Sequence, residues 1–477
     1  MTPAAKPLHE LSAPLDAHIG RILVDAQIPG AAVAVVHKGQ SYIKTYGVRR
    51  IGDVAPVTAH TAFDLGSCSK SYVASAVSRL VKAGKLNYDD RVQQYLPELQ
   101  LDTPENTAQL TVRDLLCNRS GFKRQIPVES FANPELSALD IMRRIARLDR
   151  AVPPRGGYVY FNPGFMACRL IVERVSGLGY GDFLQRELFG PLGMSDSASG
   201  SARVENLADR ACGHVLWHGE IHEVHEDLYD NWQGAAGVHS SALDATRWLA
   251  YQLGGAHADT HAPHTLMPRA ECKLIHAPPE AQRVDYCLGW WSTQLHGQRL
   301  VQHAGEMFAW RAHHALLPEQ GIGVSVMLNL GAPRHAANAY TVLETLLTGA
   351  SRDWGVVADR MQAAQNAAAV AALAAAFPVT EEVSLPMERY AGVYEHAACG
   401  LVDITRAGDG LQLRFRDGRL WDLSLRPLGA HVFESRPLHP AVADYFPVPL
   451  RLRFEIEQGR VRAFTDAQAH YKRRGEA

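Results

Sequence analysis

The chain has 477 residues, 47% of them hydrophobic, and a formal charge of -2 from 48 Lys and Arg against 50 Asp and Glu. This length accommodates two or three compact units, and a near-neutral chain without long Lys/Arg runs is not a nucleic-acid or anionic-membrane binder, which favours an enzyme or small-ligand binder. No apolar run reaches the roughly 18 residues of a membrane span, and the N-terminus carries no signal-like stretch. Seven scattered cysteines, odd in number and never in a Cys-x-x-Cys spacing, read as reduced thiols in a cytoplasmic protein.

In chain order, residues 31–37 and 41–46 are strand-like and joined by Lys38-Gly39-Gln40, a hairpin that starts an antiparallel sheet. Phe63-Asp64-Leu65-Gly66-Ser67-Cys68-Ser69-Lys70 follows, placing a hydroxyl and an amine three residues apart. Tyr72, Val73, Ala76, Val77, Leu80 and Val81 then mark a buried helical face, with Gly84 as its stop. On that helix Ser67 and Lys70 share a face, so a partly desolvated Lys70 can act as the base that a serine nucleophile needs. The first turn also offers free N–H groups and the positive end of the helix dipole to a developing oxyanion. Cys68 is an alternative nucleophile turned about 100° away, or a small buried thiol packing the helix. Ser41/Lys44 and Ser120/Lys123 repeat the spacing, the first on a strand that points the two side chains apart and the second in a loop.

Thr111-Val112-Arg113-Asp114 and Ser241-Ala242-Leu243-Asp244 resemble capping boxes with Asp in place of Glu. Tyr158-Val159-Tyr160-Phe161-Asn162-Pro163-Gly164 brings a phenol and an amide to a turn, where Tyr160 can relay a proton and Asn162 can bond a substrate amide, or the cluster simply packs. Gln302-His303-Ala304-Gly305-Glu306 sets an imidazole on a strand beside small residues, which gives a substrate backbone room to approach. Strand signal returns at 323–330. Residues 360–377 form an alanine-rich helix ended by Pro378, and short strands at 392–394, 400–405, 411–415, 421–425 and 450–456 make a small β-barrel or sandwich. His257, His261 and His264, or His218, His222 and His225, lack a recognisable zinc-site spacing, so neither metal nor cofactor is expected.

The order Ser67-x-x-Lys70, Tyr160-x-Asn162, His303-x-Gly305 resembles the serine β-lactamase and penicillin-binding-protein-like hydrolases over roughly residues 20 to 345. His-x-Gly in place of Lys-Thr-Gly, with Arg113-Asp114-Leu115-Leu116-Cys117-Asn118-Arg119-Ser120-Gly121, resembles the D-aminopeptidases, D-amino-acid amidases and related esterases, which carry β-barrels after the catalytic unit. The resemblance implies an α+β fold: an antiparallel sheet flanked by helices with a helical subdomain, plus a C-terminal all-β barrel. It divides the chain into a catalytic unit at 1–350, a connector helix at 351–383 and a lipocalin-like barrel at 384–477.

It further implies a covalent acyl-enzyme on Ser67, with Lys70, Tyr160 and His303 catalytic and Asn162, Gly305, Glu306 and Arg311 binding substrate. The oxyanion would sit between the N–H groups of Ser67 and Glu306; the Glu306 carboxylate would meet a substrate ammonium or face solvent, and Arg311 would clamp a carboxylate or form a structural salt bridge. The substrate is a small amide, ester or short peptide. A D-amino-acid amidase or aminopeptidase stands first, then an esterase or lactonase, then a β-lactamase or a catalytically silent binding protein. Partners are otherwise limited to self-association as a homo-oligomer. Residues 122–155 and 200–235 are expected to shape specificity.

Overall fold

The computed structural model describes residues 8–122, 136–145, 147–148, 152–224, 230–255, 258–379, 385–416, 422–445, 448–467 and 469–475. Of the segments expected to shape specificity, 123–135, 146, 149–151 and 225–229 lie outside them, as do Lys123, His225, His257 and Trp421.

The elements that position the site are α1 (Leu8–Asp25), β1 (Gly30–His37), β2 (Gln40–Gly47), α2 (Ser69–Lys82), α3 (Asn162–Ser176), α4 (Ala242–Leu253), β3 (Trp291–Leu295), β4 (Gln298–Met307), β5 (Trp310–Leu317), β6 (Ile322–Leu328), α5 (His335–Thr348) and α6 (Trp354–Ala376). The main sheet runs β2-β1-β6-β5-β4-β3 and continues through two short strands, Asp285–Tyr286 and Thr265–Leu266. Its strand pairs are antiparallel, and the N-terminal hairpin closes against β6 in a register from Ala31↔Leu328 to His37↔Ile322.

β1 is buried throughout because both faces of the sheet are covered. Ala31, Val33 and Val35 meet α1 and α5, while Val36 packs with Leu249 of α4 on the opposite face. Alternation of side chains along a strand thus feeds two apolar layers from one segment of small and β-branched residues. β4 pairs with β3 only as far as Gln302, so its following residues face the Ser67 turn along an edge that β3 does not occupy.

α2 departs from the expected one-sided burial. Ser69, Ser71, Ser75 and Ser78 are buried along with its apolar residues, because the helix lies between the sheet and the surrounding helices, including α3. Short serines make this tolerable by finding partners: Ser71 Oγ donates to Cys68 O at 2.7 Å and Ser78 Oγ to Asp259 Oδ2 at 2.9 Å. The Thr111–Asp114 capping box forms as expected. At α4, Ser241 Oγ accepts from Asp244 N, but the Asp244 carboxylate accepts from Asp196 N and Ser197 Oγ, so the reciprocal half of a box is replaced by a tertiary link.

The alanine-rich helix begins at Trp354, earlier than its composition suggested, since Trp354 and Ala358 anchor it against the α5 side of the sheet. Beyond it, eight strands from Gly392–His396 to His470–Arg473 form a closed barrel. Closure removes sheet edges, and the interior is filled by rings such as Tyr390, Phe433 and Phe454, with Phe464 stacked on Tyr471 at 4.5 Å. Val432–Pro437, Arg460–Asp466 and His470–Arg473 are strands beyond those read from sequence. Among the described residues no helix is long and apolar enough to cross a membrane.

Candidate active site

Ser67 sits in a 3-10 turn, Gly66–Cys68, that runs directly into α2. Asp64 builds the turn by accepting the Gly66 N–H at 2.6 Å, and Gly66 has φ +48. A side chain there would be strained and would also press on Glu306, whose backbone nitrogen lies 2.8 Å from where the Cβ would stand. From the facing strand, a Cβ on Gly305 would fall 1.8 Å from Leu65 O. These two glycines let β4 lie flush against the nucleophile turn, which brings the backbone of Glu306 close to that of Ser67.

Lys70 Nζ lies 2.9 Å from Ser67 Oγ and donates to Ala235 O at 2.8 Å. The side chain is fully buried, over the rings of Tyr160 at 4.9 Å and Phe165 at 5.3 Å. Burial pushes its ammonium well below the ordinary lysine value. In the neutral form the nitrogen keeps its hydrogen bond to Ala235 O and still presents a lone pair to the serine proton. Ser69 Oγ accepts the Val238 N–H at 3.0 Å, tying the segment after Ala235 to the same helix.

Tyr160 is half-buried, with its ring stacked against Trp291 at 6.0 Å. Its loop is pinned by Asn118, which accepts Val159 N through its carbonyl at 2.8 Å and Phe161 N through Oδ1 at 3.0 Å. Asn118 has φ +55, a left-handed geometry that asparagine tolerates better than most residues. Below it, Asp114 is fully buried between Arg119 and Arg155, and these partners outweigh burial to hold its carboxyl below the usual range. Asn162 opens α3, and its Oδ1 is a buried acceptor with no hydrogen-bond partner among the described residues.

Ser67, Tyr160, Asn162 and Glu306 line one cleft of about 140 Å³, together with Trp291 and Lys273. That is small beside the roughly 300–1,000 Å³ of drug-sized ligand pockets. Lys70 stands behind it. His303 is fully buried: its Nδ1–H donates to Ala304 O at 2.7 Å, its Nε2 accepts from Tyr286 Oη at 3.1 Å, and Trp291 stacks on its face at 4.0 Å. Both ring nitrogens are occupied, and burial with Lys70 nearby pushes the imidazole well below its ordinary pKa. In this arrangement His303 is neutral and supports Trp291 and β4, with no free nitrogen for a substrate.

Arg311 is 5% exposed and donates to Phe308 O at 2.9 Å and Trp310 O at 2.8 Å. It braces the turn between β4 and β5 and is absent from the cleft wall, so it is not placed to clamp a substrate carboxylate. Its Nε stands 3.8 Å from Glu306, whose carboxylate is 40% exposed at the cleft. Cys68 is fully buried, its thiol donates to His303 O at 3.1 Å, and burial pushes that thiol up, all of which fits a packing residue. Lys44 of the Ser41/Lys44 pair is bound to Asp16 at 2.7 Å on β2. Among the described residues no group of three or more His, Cys, Asp or Glu is arranged to hold a metal ion.

Asn118, Ala235, Trp291 and Lys273 were not singled out as site residues by sequence reasoning. Asn118 carried a signal in its Asn-Arg-Ser-Gly turn, whereas Ala235 acts through a backbone carbonyl and Lys273 through tertiary placement.

The Beta-lactamase family profile matches residues 15–347. The chain is 26% identical over 455 residues to the unguisins hydrolase ungD of Aspergillus violaceofuscus (strain CBS 115571), covering 84% of this chain and 78% of that protein. It is 23% identical over 321 residues to protein flp of Staphylococcus aureus (strain COL), covering 67% and 63%. In structure it resembles the octameric penicillin-binding protein homologue from Pyrococcus abyssi, with TM-score 0.64, 21% identity and coverage of 96% and 99%. A class C beta-lactamase superposes with TM-score 0.58 at 21% identity, over 71% of this chain and 96% of that one. With the family profile spanning most of the chain, including the nucleophile turn, the α3 entrance and the β4 edge, this protein belongs to the Beta-lactamase family.

Proposed function

We propose that the chain is a serine hydrolase of small amides or short peptides, of the D-aminopeptidase or D-amino-acid amidase kind, acting through an acyl-enzyme on Ser67. The observation that carries this reading is the fully buried Lys70 amine 2.9 Å from Ser67 Oγ, with its charged form disfavoured by burial. Lys70 takes the Ser67 proton as Oγ bonds to the substrate carbonyl carbon. The resulting oxyanion is received by the N–H groups of Ser67 and Glu306. The proton then passes by way of Lys70 and Tyr160 to the departing nitrogen as the C–N bond breaks. Water enters by the reverse path to release the acid.

Asn162 supports the reading as the unpartnered acceptor available to a substrate N–H. The relative named unguisins hydrolase supports hydrolysis as the reaction class. We assign the chemistry to residues 1–350, with 351–383 as connector and 384–477 as an accessory barrel, in a cytoplasmic protein; among the described residues no barrel residue lines the cleft. The octamer of the Pyrococcus abyssi homologue supports self-association, which light scattering at assay concentration checks.

The test is a panel of D- and L-alanine amides, p-nitrophenyl esters and nitrocefin on the wild type and Ser67→Ala. D-amide cleavage that disappears in Ser67→Ala is expected. Ester turnover without amide cleavage selects the esterase or lactonase reading, nitrocefin turnover selects a β-lactamase, and turnover of none of these substrates selects a silent binder.

A further inference from the structure

The described residues lining the cleft include two charged side chains of opposite sign, Lys273 and Glu306, set among aromatic and apolar walls such as Trp232, Trp291, Met267 and Ile275. Lys273 is exposed and lies on a segment that the sheet holds in place. Its backbone N–H donates to His276 Nδ1 at 3.0 Å, Tyr340 Oη donates to Leu274 O at 3.1 Å, and Gln302 Nε2 donates to His276 O at 2.7 Å. His276 also packs on Trp291 with ring centroids 4.5 Å apart. The base of the lysine stem is therefore fixed to β4 and α5, and the exposed side chain forms part of the cleft wall.

The other cationic candidates are unsuited to a substrate carboxylate. Lys70 is fully buried against Ser67 and Ala235, His303 is neutral with both nitrogens engaged, and Arg311 is turned to the Phe308 and Trp310 carbonyls. Glu306 is held from behind, with Arg311 Nε at 3.8 Å and His335 Nε2 at 4.0 Å from its Oε1, and 40% of its side chain stays open. His335 is fully buried with neither ring nitrogen hydrogen-bonded among the described residues, and burial pushes its pKa down to about 3, so of these two neighbours only Arg311 brings positive charge to Glu306.

We propose that Lys273 and Glu306 select a dipolar substrate, a short peptide with both ends free, Lys273 binding its carboxylate and Glu306 its ammonium. The inference rests on the serine-hydrolase reading above and adds to it that both charged ends of the substrate are recognised. A cleft of about 140 Å³ suits a chain of very few residues.

The experiment measures kcat/KM for D-Ala-D-Ala, its C-terminal amide and its N-acetyl form, with p-nitrophenyl acetate and the anionic p-nitrophenyl hemisuccinate as esters. Enzymes are the wild type, Lys273→Met, Glu306→Gln and Ser67→Ala. Capping either end should lower wild-type kcat/KM about tenfold or more, the equivalent of one charge-assisted contact. Lys273→Met should bring the free-to-amide ratio toward one while keeping the free-to-acetyl ratio, and Glu306→Gln should do the converse. Wild-type indifference to both caps, or ratios unchanged in the variants, overturns the pair. If Ser67-dependent ester turnover occurs without peptide cleavage, the peptidase reading fails separately. Lys273 is then judged by whether its replacement removes a preference for hemisuccinate over acetate, and equal preference in both enzymes overturns its role.

Discussion

The cleft and the barrel bury polar groups on opposite terms. In the barrel, Tyr390 Oη bonds His431 Nδ1 at 2.7 Å and Tyr394 Oη donates to Tyr390 O at 2.6 Å, so these two hydroxyls within an aromatic core are satisfied internally. Around the cleft, an amine is buried where its charge is disfavoured, and Asn162 Oδ1 has no hydrogen-bond partner among the described residues. Unmet polarity costs stability, roughly 1–3 kcal/mol for a buried unsatisfied group. The barrel is thus built for stability, and the cleft holds its polar groups ready for a reacting molecule.

Ser67→Ala tests this contrast with the largest expected effect. Hydrolysis should fall by about four orders of magnitude or more, as for nucleophiles in other hydrolases, while the melting temperature stays close to wild type. Retention of more than a tenth of the activity would place the nucleophile elsewhere.

Lys70→Met separates chemistry from stability. Activity should fall about a thousandfold or more. Wild-type Lys70 is neutral when folded and protonated when unfolded between its lowered folded pKa and the ordinary lysine value. The unfolded state binds more protons across that window, so wild-type stability rises with pH there. The stability of Lys70→Met relative to wild type should accordingly decline as pH increases toward 10; a difference independent of pH would show that Lys70 is charged in the fold. In the same sense, wild-type kcat/KM should rise with pH through a limb well below the ordinary lysine pKa.

The barrel responds the other way. Phe454 is 2% exposed, and Phe454→Ala should cost about 3–5 kcal/mol in urea denaturation. kcat/KM should change less than about twofold under conditions where the variant remains folded. A large catalytic loss in folded protein would mean that the barrel shapes the cleft.

Cys68→Ala has the smallest expected effect on rate, within about threefold, because the thiol packs against β4 and burial disfavours its thiolate. Iodoacetamide should label Cys68 slowly in the native enzyme and rapidly after unfolding; rapid native labelling would reopen Cys68 as a nucleophile.

Much of this arrangement was legible because it is local. The Gly66-Ser67-x-x-Lys70 turn, the hairpin of β1 and β2 and the Thr111 cap each depend on neighbours a few residues apart. The sequence could not show which direction Arg311 points or that both His303 nitrogens are engaged, since Tyr286, Trp291 and the Phe308 turn decide those matters through tertiary contacts. The pairing of β1 with β6 spans nearly the whole sheet-forming sequence and has no local marker. In the barrel, Arg460–Asp466 alternates exposed arginines with buried Val461 and Ala463 for only four residues before the buried Phe464 breaks the phase opposite a register shift in Leu450–Glu457, so its own apolar pattern is too short to mark the strand.

Ser67 as the acylated nucleophile is best tested by intact mass with peptide mapping after rapid mixing with a slowly deacylating p-nitrophenyl ester. One acyl group is expected on the peptide carrying Ser67 in the wild type and none on that peptide in Ser67→Ala. An adduct on Cys68, or one that persists in Ser67→Ala, would contradict this assignment.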